Sequence, residues 1–287
     1  AKEAIDCVEA SKETGAYTMD DRQLGLSVSK STSTTDPFEL GRANYTYIFT
    51  GDGNATQFLN QNEYLMSLNK SGSITYTQKQ FGCHLANNYT KVSGAYRGYL
   101  CPTFEAVQMY YTRNGLPWED DPETKDIDPL AYNKAAGTVE MHLHKEPRFY
   151  ASILYNDATW IGRKLELYAG GKDNYMDFSI TGQDNVHKST TGYIFRKFMD
   201  DSGKVNFTNI LSGTYWTEMR LAEIYLIRSE AYARQNQFGP AYEDLRTIRD
   251  RVGLPVLAQK GNWQDYLQDL AKAVSYTHLR AHETSQD

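Results

Sequence analysis

The 287-residue sequence has only three cysteines, Cys7, Cys83 and Cys101. An odd number without close pairing speaks against a disulfide framework and against a zinc site, so these thiols are expected to be buried or half-exposed packing groups. No apolar run approaches the roughly 18 residues that a membrane-spanning helix needs. A basic stripe is missing too. The 30 Lys and Arg stand against 36 Asp and Glu, a formal charge of −6, so no surface is set up for the phosphate neutralisation on which nucleic-acid binding depends. The sequence also lacks a Gly-x-Ser-x-Gly elbow, a phosphate-binding glycine loop and a Cys-x-x-Cys pair, so no motif anchors catalysis. The expectation is a protein that is not an enzyme, carries no cofactor or metal and does not bind nucleic acid.

What is abundant is tyrosine: 22 residues, against 11 Phe and 4 Trp. Its ring offers a flat apolar face and its hydroxyl a polar tip, which suits surfaces that stay wet yet grip something, such as a sugar ring. The same bias also fits half-buried packing.

Ala1 already falls inside an amphipathic pattern (Ala4, Ile5, Val8), and residues 1 to 14 read as the end of a helix stopped by Gly15. A truncated start is therefore expected. Val274–Thr284 (VSYTHLRAHET) resembles a translated sequencing adapter, so residues 274–287 are expected to be a non-native tail. His278 and His282, four apart as in helical metal pairs, are set aside with it.

Residues 20 to 100, rich in Ser, Thr, Asn, Gly and Tyr, read as long loops with short strands or helical turns. The apolar cluster in Asn62–Leu68 reads as one short buried segment. Thr103 is placed to cap a helix running through Phe104, Val107 and Tyr111 to Gly115. Residues 117 to 139, with Pro117, Pro122 and Pro129 among acids, read as an unpacked loop. Pro147 sits at a helix start, with Phe149, Ile153 and Leu154 as its apolar side. Glycines then punctuate residues 160 to 214 into short segments.

Thr217–Val252 carries the strongest periodicity, and it predicts a helical hairpin. Ala222, Tyr225, Leu226, Ser229, Tyr232 and Ala233 are spaced by three and four on one helix. Ala241, Leu245, Ile248 and Val252 follow on a second, which Gly239 and Pro240 open and Gly253 closes. Tyr225, Ser229, Tyr232, Phe238, Ala241 and Leu245 match the spacing of one tetratricopeptide repeat. The small residues at 229 and 241 let the two helices approach closely. One repeat cannot bury its own face, so it must find partners elsewhere in the fold.

Several stretches, read together, resemble the SusD/RagB family. The C-terminal signature is carried by Arg220–Tyr232 (RLAEIYLIRSEAY), Asp244–Arg249 (DLRTIR) and Arg251–Pro255 (RVGLP). Pro102–Val107 (PTFEAV), Lys145–Tyr155 (KEPRFYASILY) with Trp160, and Thr191–Phe198 (TGYIFRKF) match in the same order. The resemblance implies a mainly α fold over residues 1–273. A tetratricopeptide-like hairpin scaffold at 217–252 would support a loop-rich, Tyr-rich lobe with few short strands, at about 20–214. It also implies a lipid anchor, outside this sequence, that holds the intact protein on the outer membrane facing outwards. The partners it implies are an oligosaccharide, or in some members a peptide, and a SusC-like TonB-dependent transporter that imports it. A helical-repeat scaffold for protein or peptide is the alternative.

Sugar recognition needs an aromatic plane and a few planar hydrogen-bonding groups. Two clusters supply this mix: Tyr96, Arg97 and Tyr99 with Asn87 and Asn88, and Trp118 with Asn114 and Asp120. The acids at 119–128 lack the order of a calcium loop, and no apolar pocket is evident to raise a carboxyl's pKa for glycoside hydrolysis. Glu140, His142 and His144 alternate, so a strand would bring them to one face. Their closeness to Pro147 favours a structural or solvent-facing role.

Overall fold

A computed structural model describes residues 33–50, 63–68, 101–160, 162–169, 171, 173, 189, 191–197 and 216–274. The chain forms two compact units. One comprises residues up to Tyr45, Asn60–Leu68 and Thr217 onwards; the other comprises Thr46–Leu59 and Asn69–Trp216.

The first unit is built on the hairpin. Helix α4 (Leu221–Arg234) and helix α5 (Phe238–Arg251) are joined by a short turn in which Asn236 takes φ 59°. Ala222, Ser229, Ala241 and Leu245 are fully buried in their contact. Ser229 donates its hydroxyl to the Ala241 carbonyl at 2.7 Å. Arg228 forms a two-pronged bond to Asp244, at 2.8 and 2.6 Å, in the same buried seam. The first helix starts later than its periodicity suggests, because Trp216–Arg220 is a strand, β8, paired with β1 (Tyr64–Leu68).

The partner that the hairpin requires is a helix the sequence reading did not place, α6 (Trp263–Val274). It packs on both hairpin helices through Tyr266, which is fully buried. The Tyr266 hydroxyl sits 2.8 Å from Ser229 Oγ, and Tyr242 donates to Asp269 at 2.8 Å. Trp263 stacks on Tyr266 with ring centres 5.7 Å apart.

Glu63 ties this unit together. Its buried carboxylate accepts from Arg220 at 2.9 Å and from Arg251 at 2.6 Å, both on Oε1, while its carbonyl accepts the Leu221 N–H at 2.8 Å. The segment read as an apolar buried stretch is thus anchored by its acid, and its Met66 is 52% exposed.

Helix α1 (Pro37–Thr50), at 14 residues, is longer than the helical turns expected among the loops of residues 20–100. Asp36 caps it by accepting the Phe38 N–H at 3.1 Å, and Pro37 occupies the first turn, where its missing N–H costs nothing. Gly41 lies against the backbone of Val252 and Gly253, where any side chain would collide. Gly253 itself needs φ 68° to end α5.

In the second unit, helix α2 (Phe104–Gln108) is capped by Thr103, which accepts from the Ala106 N–H at 3.2 Å. It ends well before Gly115. The buried Lys145 ammonium terminates it, donating to the carbonyls of Gln108 and Tyr110 at 3.2 and 2.5 Å. Helix α3 (Pro147–Ser152) is shorter than expected, because Ile153–Leu154 is a strand, β4, paired with β7 (Ile194–Phe195). Two further ribbons are β2 (Tyr132–Asn133) with β3 (Thr138–Val139), and β5 (Thr159–Trp160) with β6 (Arg163–Lys164). Leu154, Trp160, Leu165, Leu167 and Ile194 form the core beneath them. Cys101 is half-buried; Cys7 and Cys83 lie outside the described residues.

Candidate functional site

Residues Pro117–Asp128, read from sequence as an unpacked loop, form a tight series of turns around one buried carboxylate. Asp121 accepts both Asn114 amide contacts at 3.2 Å and the Glu123 N–H at 2.9 Å. Burial alone would favour its neutral form. The Thr112 hydroxyl, then the Glu123 N–H, the Asn114 amide and the His144 charge outweigh burial and hold it below the usual aspartate range. Proline and acid content misled here because a single buried Asp can organise turns that apolar content does not reveal.

Trp118 is half-buried in this turn set. Its indole N–H donates to the Ile127 carbonyl at 3.0 Å, and its own carbonyl accepts the Thr124 hydroxyl at 2.8 Å. These bonds fix the ring. The ring and the His144 imidazole form a T-shaped pair with centres 5.8 Å apart. His144 Nε2 lies 3.5 Å from Glu140 Oε2, and the other Glu140 oxygen accepts from the Asn133 amide at 2.9 Å. Trp118, His144, Glu140 and Asn133 are therefore one continuous row. Asn133 is occupied within its own turn, its oxygen accepting from Ala135 and Ala136 at 3.0 Å. Trp118, partly exposed, together with His144 (25%) and Glu140 (21%), meets solvent. An aromatic plane beside an imidazole and a carboxylate is the chemistry that takes a ring bearing hydroxyls.

The row rests on a rigid floor. Glu140–Leu143 is a 3₁₀ turn rather than a strand, so His142 turns away from Glu140 and His144 and is buried. Thr138 Oγ1 lies 2.7 Å from its Nδ1, and the Tyr193 hydroxyl lies 2.9 Å from its Nε2. Its ring packs among Tyr155 and Phe149. Burial first, and then the nearby Lys145 charge, pushes the His142 pKa down to about 3. Burial likewise lowers Lys145 to about 8, against the opposing pull of Glu146 and Glu119. Glu146 is itself paired with Arg148 at 2.7 Å in the interior.

The SusD family profile matches residues 57–275, most of the chain. The chain belongs to the SusD family. Among solved structures, BT4246 is similar with a TM-score of 0.69 at 18% identity, over 96% of this chain and 48% of its own length. A SusD-like protein from Bacteroides fragilis NCTC 9343, BF3747, gives a TM-score of 0.62 at 19% identity over 98% of this chain and 49% of its own. The chain thus spans about half the length of the structures it matches. No curated protein matches it.

On this SusD-family scaffold the repeat residues Tyr225, Ser229, Phe238, Ala241 and Leu245 all lie in the hairpin core, with Tyr232 half-buried at its edge. Of the residues singled out for sugar contact, Asn114 and Trp118 come together around Asp121, while Asp120 is exposed on the same turns. Tyr96, Arg97, Tyr99, Asn87 and Asn88 lie outside the described residues. The sequence reading did not join Glu140 and His144 to Trp118. Their i, i+4 spacing on a helical turn is the signal that joins them. It also passed over Tyr132 and Tyr168, which are 61% and 55% exposed. Among the described residues no group of His, Cys, Asp and Glu is arranged to hold a metal ion, and no helix is long and apolar enough to cross a membrane.

Proposed function

We propose that this chain is part of a cell-surface protein that binds oligosaccharides without transforming them and passes them to a SusC-like, TonB-dependent outer-membrane transporter. The observation that carries this reading is the SusD family match over residues 57–275. The Trp118 row supports it by supplying a fixed aromatic face with a histidine and a carboxylate beside it. In this proposal a lipid anchor on the intact protein holds it at the outer membrane. The Tyr96, Arg97 and Tyr99 segment with Asn87 and Asn88 is a second contact region in this proposal.

A glycan array run alongside calorimetric titration with a peptide library tests it. Binding to a defined set of oligosaccharides, with the sugar recovered unchanged, is the expected result. Binding to peptides alone would replace the proposal with a helical-repeat peptide scaffold, and turnover of a sugar would overturn it in favour of an enzyme.

A further inference from the structure

We infer that the Trp118 surface selects neutral oligosaccharides and turns away those bearing sulfate or uronic acid, an inference that rests on the glycan-binding reading above. The turns that hold the indole carry Glu119, Asp120, Glu123, Asp126 and Asp128, all exposed. The turns that carry these carboxylates are tied to the Trp118 residue. The same hydrogen bonds that fix Trp118, from its indole to Ile127 and from Thr124 to its carbonyl, bind the acidic turns to it. The buried Asp121 at their centre stays charged, and Glu140 adds a further carboxylate within the row.

The cations of the region do not cancel this. Lys145 is buried with its ammonium directed at the Gln108 and Tyr110 carbonyls, and Arg148 is taken up by Glu146. Between residues 113 and 144 the remaining cations are Arg113, Lys125 and Lys134, fewer than the exposed acids. A sulfate or carboxylate on a sugar stacked at Trp118 therefore approaches turns that carry several like charges, a repulsion that fades over the Debye length, roughly 8 Å at physiological salt. A neutral ring meets no such repulsion, and the same carboxylates accept from its hydroxyls.

The test uses the full chain and an array of neutral oligosaccharides, each printed beside its sulfated or uronic-acid counterpart, at low salt and again at about 0.5 M salt. The expected result is at least tenfold weaker binding of the anionic member at low salt, with the gap narrowing at high salt. A variant combining Glu119→Gln, Asp120→Asn and Glu123→Gln should narrow the gap at low salt as well. Its three side chains are exposed, so the fold is expected to survive, and circular dichroism checks that it does. Equal or tighter binding of the anionic members would overturn the selectivity while leaving glycan binding intact. A gap that the triple variant leaves unchanged would also overturn it. Binding to no glycan at all would overturn both the selectivity and the function it rests on.

Discussion

Ser229 and Ala241 meet across the hairpin, the serine hydroxyl donating to the alanine carbonyl at 2.7 Å with both residues fully buried. Helices approach to this distance only where side chains are small. A chain with leucine at either position would have to separate α4 from α5 and lift Tyr266 off Ser229.

Ala241→Leu is accordingly expected to destabilise the protein by about 1–3 kcal/mol through overpacking. Ser229→Ala, which leaves the Ala241 carbonyl and the Tyr266 hydroxyl without their shared partner, should cost about 1–2 kcal/mol. Thermal unfolding followed by circular dichroism checks both. A leucine variant as stable as the parent would contradict the close-packed hairpin.

Glu63 is fully buried between Arg220 and Arg251. Replacing it by Gln removes the negative charge that two guanidinium groups share, 11% and 5% exposed at their side chains. The expected cost is about 3–5 kcal/mol, read as a lower urea midpoint at unchanged slope. A shift under about 0.5 kcal/mol would show that the three-residue cluster does not hold strand β1 to the hairpin.

The hairpin was legible because its signals are local: apolar spacing of three and four, Pro240 at a helix start, Gly253 at a helix end. Thr103 and Pro147 were legible for the same reason. Helix α1 was not, since Gly41, Asn44 and Thr46 dilute its pattern, and Gly41 is explained only by the Val252 backbone far along the chain. Strands β4 and β7 are two residues each, defined by their partner rather than by any period. The site divides in the same way. Trp118 stood out by residue type, whereas its joining to His144 and Glu140 depends on a 3₁₀ turn that no apolar period marks.

Stability should fall on acidification because of His142. Its pKa is pushed from 6.5 to about 3 in the folded state. Between those values the unfolded chain binds a proton that the native protein does not. This contribution is complete above pH 6.5 and is lost at up to about 1.4 kcal/mol per pH unit below it. Lys145, lowered from 10.5 to about 8, has the same sign at the alkaline end, so stability from this group rises between pH 8 and 10.5. An NMR titration in which the His142 ring protonates near pH 6.5 would contradict the buried Thr138–His142–Tyr193 arrangement.

The most direct measurement of the central claim is the affinity of an oligosaccharide recovered from the array for the parent chain and for Trp118→Ala. Loss of the stacking face should weaken binding by about 1–3 kcal/mol, roughly 5- to 150-fold, with the fold unchanged by circular dichroism. Unchanged affinity in a folded Trp118→Ala variant would contradict the assignment of the Trp118 row as the sugar-binding surface.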